Sequence, residues 1–123
     1  MLRVLDAYNR RDLPGMEEML DEQVESHVDP PVANAGDWRG IDGFREMVVA
    51  WTEAFSVQTS HVRAMEHPDA DHVIVDIHQV GVGAASGVEV EMRVSYLFGL
   101  RDGRIVRFGV YQSLEAARAA LRE

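Results

Sequence analysis

Asp29 and Tyr96 are the two side chains in this sequence best suited to proton chemistry beside an apolar wall. A carboxylate at the mouth of an apolar pocket has its pKa raised by desolvation and can shuttle a proton near neutrality. A phenol opposite it can donate to a developing enolate. Tyr8 supplies a second phenol. Gln79 supplies an amide that shares, by strand parity, the face of Val75, Ile77 and Met92. The same residues have a plainer reading, with Tyr96 a core aromatic and Asp29 an exposed turn residue before Pro30. His27 is the alternative base. It follows Ser26 on a short strand, so only one of the two faces inward, and a bulge before Asp29-Pro30 would swing His27 to the pocket.

A second grouping falls on the opposite face of the later strands. Pairing Val82 with Gly87 and His67 with His72 aligns His61, His78 and Glu91 in one row and Arg63, Asp76 and Arg93 in the next. Two imidazoles and a carboxylate about 5 Å apart have the donor types of a divalent-metal site. Cross-strand charge pairs on a solvated or dimer-forming surface account for the rows equally, and no metal site is assigned. Trp38, Trp51, Phe55, Phe98 and Phe108 carry most of the aromatic area. Helical or strand spacing makes them core or pocket wall, except Trp38, which sits in a long loop where it can close the pocket mouth. Gln112 extends the pocket-facing parity of the last strand.

These groups need elements to hold them. Apolar residues at 2, 4, 5 and 8 give a first helix over 2–10. Asp12 caps a second short helix with Pro14 in its first turn and Met16, Met19 and Leu20 inward. Residues 24–28 alternate as a short strand, and 29–40 are rich in turn formers and read as irregular. Residues 41–55 form a third helix, with Ile41, Phe44, Met47, Val48, Trp51 and Phe55 on one stripe. Four strands follow over 57–66, 72–82, 88–100 and 104–112, joined by short loops as an antiparallel meander. The turn Arg101-Asp102-Gly103 reads as a three-residue loop pairing Leu100 with Arg104. Met92, Val94, Tyr96, Phe98, Val106, Phe108 and Val110 then share one face. Ser113 caps a last helix with Glu115 in its first turn. Helices followed by a curved antiparallel sheet with one apolar face make an α+β cone, helices over the concave side and a cavity between.

Composition narrows the chemistry. The chain of 123 residues suits one domain, residues 1–123, with a single core. Cysteine is absent and every basic residue is arginine, which removes thiol nucleophiles, thiolate metal sites and lysine Schiff bases. A formal charge of −9 argues against nucleic acid as a partner. Apolar runs fall short of the roughly 20 residues of a membrane span. Arg3, Asp6 and Arg10 interrupt any signal-peptide core, so a cytoplasmic location is expected. No phosphate loop or dinucleotide fingerprint occurs, and no cofactor is expected.

Three segments then carry a resemblance: Ala7-Tyr8-Asn9-Arg10-Arg11-Asp12-Leu13, Trp38-Arg39-Gly40-Ile41-Asp42-Gly43-Phe44 and Arg101-Asp102-Gly103-Arg104-Ile105-Val106-Arg107-Phe108. Together they resemble the SnoaL-like family of the nuclear transport factor 2-like superfamily. The resemblance implies the cone fold, which hosts isomerases, cyclases, dehydratases and non-catalytic binding modules. Pairing of two copies through the outer sheet face is expected, partly as the resemblance implies, and a scaffold acting through that face would bury Leu97, Arg93, Arg107 and Tyr111 between subunits. Ketosteroid isomerase chemistry in that superfamily uses a carboxylate base with a tyrosine and a protonated aspartate as oxyanion donors. Asp29-Pro30 resembles the base segment, whereas an ungapped alignment from Asp12 puts Val28 there. The oxyanion aspartate falls on Tyr96 and the oxyanion tyrosine on Val4, with Tyr8 one helical turn later.

The sequence therefore points to a small-molecule pocket protein for an apolar carbonyl compound. As an enzyme it would be a cofactor-independent isomerase, cyclase or dehydratase, with Asp29 (or His27) as base and Tyr96, with Tyr8, polarising the carbonyl. The alternative is a non-catalytic ligand-binding or dimerisation module of the same fold.

Overall fold

The computed structural model describes residues 7, 10 and 12–122, with residues 55–58 described by their backbone alone. The helix expected over 2–10, with Tyr8, falls largely outside the described residues, as does the side chain of Phe55.

Asp12 Oδ1 accepts from the Gly15 amide at 3.0 Å and starts α1, Leu13–Glu17, with Pro14 in its first turn. The first strand, β1, runs Leu20–Val28 with Leu20, Val24, Ser26 and Val28 buried. The segment read as irregular contains a short strand, β2, Gly36–Arg39, antiparallel to β1 with Trp38 opposite Ser26. Four residues reading Gly-Asp-Trp-Arg are too few and too polar to show alternation. Helix α2, Gly40–Ala54, turns Phe44 and Met47 into the core. The meander follows as expected: β3 Phe55–Asp69, β4 His72–Gly83, β5 Glu89–Arg101 and β6 Arg104–Tyr111. Sheet order is β2-β1-β6-β5-β4-β3, with β1 parallel to β6 and the other pairs antiparallel. Ser113 Oγ accepts from the Ala116 amide and starts α3, Leu114–Ala120.

One core lies between the sheet's inner face and the helices. Met16, Leu20, Val24, Val28, Phe44, Met47, Val75, Ile77, Tyr96, Phe98 and Phe108 are all buried in it. A second, smaller cluster lies on the outer face, where α3 sets Ala117 and Ala120 on Ile74, Leu97 and Tyr111. Leu97 and Tyr111, expected between subunits, are thus covered within the chain itself. The Arg118 guanidinium bonds both Glu66 oxygens and ties α3 to the end of β3. The contact raises the Arg118 pKa and lowers that of Glu66.

The register corrects three expectations. Asp102 (φ 53°) and Gly103 (φ 77°) form a two-residue turn, so Arg101, not Leu100, pairs with Arg104. A bulge then leaves Val106 unpaired between Leu100↔Ile105 and Gly99↔Arg107. Turn and bulge together shift the ladder by two residues, so Tyr96, Phe98, Phe108 and Val110 keep their common face while Ile105 replaces Val106 on it. The strand ends at Tyr111, which leaves Gln112 exposed at the approach to α3 rather than on the inner wall. On the outer face His61 does pair with His78. The β4–β5 loop is longer than expected, Val82 pairs with Glu89, and Arg93 rather than Glu91 stands opposite His78. Glu91 reaches His78 diagonally at 3.5 Å, and Arg93 reaches Asp76 at 3.2 Å. Among the described residues no three His, Asp or Glu side chains converge as a metal site requires.

Candidate functional site

A cavity of about 70 Å³ lies between α2 and the inner sheet face. Its wall is built by the apolar alternation of each strand: Leu20 and Val28 from β1, Tyr96 and Phe98 from β5, Ile105, Phe108 and Val110 from β6. Phe44, Met47, Val48 and Trp51 close it from α2, and Val32, Ala33 and Asn34 reach it from the loop after β1. Phe108 sits at the centre of the aromatic wall, 5.2 Å from Tyr96, 5.3 Å from Phe98 and 5.8 Å from Phe44 between ring centres. Such near-perpendicular or tilted rings are the favoured arrangement of aromatic quadrupoles.

Besides the exposed Asn34 amide and the Trp51 indole, a buried polar patch interrupts this wall. Gln79 is 2% exposed, and its Nε2 donates to Ser60 Oγ at 3.0 Å and to the Tyr96 hydroxyl. Tyr96 also shares a hydrogen bond with Ser60. Burial drives the Tyr96 phenol far above its ordinary pKa, while the Ser60 and Gln79 contacts offset only part of that rise. The phenol therefore stays protonated throughout the physiological range and can only donate or accept a hydrogen bond. No described lining residue carries a charge.

Of the residues singled out from the sequence, Trp51, Gln79, Tyr96, Phe98 and Phe108 meet at this cavity. Asp29 and His27 do not join them. Register is continuous from Glu25 to Val28, and the irregularity in β1 falls earlier, between Leu20 and Glu25. With Val28 inward, His27 and Asp29 must point outward. Val28 thus holds the cavity-facing position on this stretch. Trp38 lies on β2 against Gly43 of α2, where a Cβ on that glycine would meet Trp38 Cβ at 3.0 Å. It packs on the core rather than lining the cavity.

The outward residues line a broad groove between the β1–β2 edge and α3, with Tyr111 and Arg107. There His27 bridges two carboxylates, Nε2 to Asp29 Oδ1 at 2.9 Å and Nδ1 to Asp37 Oδ1 at 2.7 Å. Partial burial lowers the imidazole pKa, but the hydrogen bonds and charges of Asp29 and Asp37 outweigh it and leave the pKa raised. The His27 ring also lies 5.7 Å from that of Tyr111. Sequence reasoning missed Asp37 because β2 was unread. It missed Ser60 although the His61↔His78 register already implied Ser60 opposite Gln79.

Comparison with known proteins agrees with this architecture. The model of the SnoaL-like domain matches residues 1–108. Among solved structures, TerC co-crystallised with polyporic acid is similar at a TM-score of 0.81 and 16% identity, over 99% of this chain and 95% of that one. A proposed SnoaL-like polyketide cyclase from Jannaschia sp. CCS1 is similar at 0.79 and 19% identity, over 97% and 86%. A protein of ketosteroid isomerase-like fold from Catenulispora acidiphila DSM 44928, in complex with trimethylamine, is similar at 0.78 and 12%, over 95% and 87%. The curated proteins yield no match to the chain. Cone fold, apolar cavity and family model agree, and the chain belongs to the SnoaL-like domain family.

Proposed function

We propose that the cavity binds a small, neutral, mostly apolar molecule whose single hydrogen-bond acceptor, a carbonyl for instance, is held by Tyr96. The observation that carries this reading is the uncharged wall with a buried, hydrogen-bonded polar patch, Ser60–Gln79–Tyr96. Small-molecule sites of this kind combine an apolar lining with a few placed polar groups that fix orientation. Gln79 spends both amide hydrogens on the two hydroxyls, so each hydroxyl accepts and retains its own proton. With Ser60 donating to the Tyr96 oxygen, the phenol's own proton can go to a ligand, since Tyr96 stands on the lining.

The volume supports a compact ligand. About 70 Å³ is less than half of the roughly 150 Å³ apolar cavity that takes up benzene. Molecules of benzene size or more, six-membered cyclic ketones included, enter with movement of the loop at Val32, Ala33 and Asn34.

Binding is favoured over proton-transfer catalysis because the ionisable cluster at His27 and Asp29 lies on the far side of β1 from the phenol. Polarisation of a carbonyl by Tyr96 remains within the reading, as the family's cyclase-like relatives suggest. Pairing of two copies would use the outer face left open by α3, around His61, His78 and Arg93, and a monomeric mass at micromolar concentration would count against it.

The test is a thermal-shift series with matched neutral and anionic probes, cyclohexanone against cyclohexanecarboxylate. Binding to the folded state alone raises Tm. The reading expects a shift with the ketone and none with the carboxylate. A shift only with the carboxylate would overturn it.

A further inference from the structure

The chain leaves β1 at Val28, passes over the cavity mouth and returns as β2, and both ends of this excursion are tied to one side chain. His27 holds Asp29 at the start and Asp37 at the end. Between them, Val32, Ala33 and Asn34 are the loop residues that line the cavity. A carboxylate only accepts hydrogen bonds, so both His27 nitrogens must carry hydrogen to hold both partners, and the ring in this arrangement is a cation. Loss of that proton leaves a lone pair facing one carboxylate, and only one of the two bonds survives. Asp37, with 80% of its side chain exposed against 37% for Asp29, is the partner free to leave.

Among the described residues, no arginine forms an ion pair with Asp37 that would replace His27. Glu25 and Arg39, on the same outward face of β1 and β2, are paired with each other at 3.2 Å. Arg107 and Tyr111 face the groove from β6, and α3 contributes Ala116, Ala119 and Ala120. The loop end at Asp37 is otherwise held by a four-residue edge strand.

We propose that His27 is a proton-controlled clasp on the cavity loop: protonated, it fastens Asp29 to Asp37 and holds the loop against the cavity, and deprotonated, it frees Asp37 and lets the loop move away to admit ligand. The last step rests on the cavity being the ligand site; the clasp itself does not. It gives a cavity too small for larger ligands a route to enlargement without unfolding the sheet.

The test is amide hydrogen exchange of residues 32–36 in the intact protein between pH 6 and pH 9, corrected for the intrinsic rate of exchange. Largely exposed ion pairs shift an equilibrium by a factor of about two to five at most, so opening of the wild-type loop should rise by about two- to five-fold across the His27 titration. His27→Gln should already be open at pH 6 and show no residual pH dependence. Asp37→Asn, which leaves the core and the Asp29 contact untouched, should lose most of the same protection. Loop protection in the wild type that is constant with pH, or a His27→Gln loop as protected as the wild type, would overturn the clasp. A second arm follows uptake of the neutral fluorophore N-phenyl-1-naphthylamine by stopped flow. Faster uptake at high pH in the wild type alone supports the complete proposal. Exchange that follows the prediction with no uptake at any pH would retain the clasp and overturn the cavity as ligand site.

Discussion

Replacing Gln79 with leucine removes the amide that organises the polar patch while nearly conserving its volume. The side chain is 2% exposed, so bulk solvent does not reach its position. Two hydrogen bonds are lost, to Ser60 and to Tyr96. At about 1 kcal/mol net for each, the expected destabilisation is about 2 kcal/mol. For 123 residues, an unfolding entropy of about 2.1 cal/mol/K per residue gives roughly 0.26 kcal/mol/K. The melting temperature should therefore fall by about 8 °C. The asymmetry of hydrogen-bond energetics sharpens the test, because a stranded polar group costs more than removal of both partners. Adding Tyr96→Phe should thus cost less in the Gln79→Leu background than in the wild type, with a coupling of about 1 kcal/mol. Calorimetry of the four proteins of this cycle measures it. A Gln79→Leu protein as stable as wild type, or strictly additive effects, would show that the amide does not hold the two hydroxyls.

Two further outcomes test the outer face and the edge of the sheet. Gly109→Ala should destabilise by about 1–3 kcal/mol and disturb the near-ultraviolet tyrosine signal, since forced overpacking costs that much and the new Cβ would stand 2.5 Å from the Tyr111 ring; an unperturbed spectrum and melting point would contradict the ring's position. His27 has a raised folded pKa, so its contribution is complete below the ordinary imidazole value of 6.5 and is lost as pH rises through the higher folded value. The stability gap between wild type and His27→Gln should therefore be widest near pH 5.5, at about 0.5–1 kcal/mol after solvent screening, and close towards pH 9. A gap that widens with pH would reverse the assignment.

Much of the wall of the site was legible because period-two alternation survives errors of register. The β5–β6 hairpin shows why: turn and bulge each moved the pairing by one residue, and the even total left Tyr96, Phe98, Phe108 and Val110 on the face where alternation had put them. Alternation also contained the answer for β1, since Val28 inward forces His27 and Asp29 outward. A proline-flanked carboxylate suggested a pocket residue only by assuming a bulge the strand does not make. What sequence could not show depends on partners distant in the chain. Four residues of β2 carry too little pattern to announce a strand, so the His27–Asp37 bond had no visible partner. The β4–β5 loop length, set by Gly87 at φ 68°, decided whether Glu91 or Arg93 would stand beside His78.

The central claim is that an uncharged cavity orients a neutral ligand through the Tyr96 hydroxyl. Its most direct measurement is the affinity of cyclohexanone and of methylcyclohexane for the wild type and for Tyr96→Phe, by titration calorimetry. The ketone should lose about ten-fold in affinity on removal of the hydroxyl, the worth of one buried hydrogen bond, while the hydrocarbon is unchanged. Equal changes for the two ligands, or a ketone indifferent to the substitution, would contradict it.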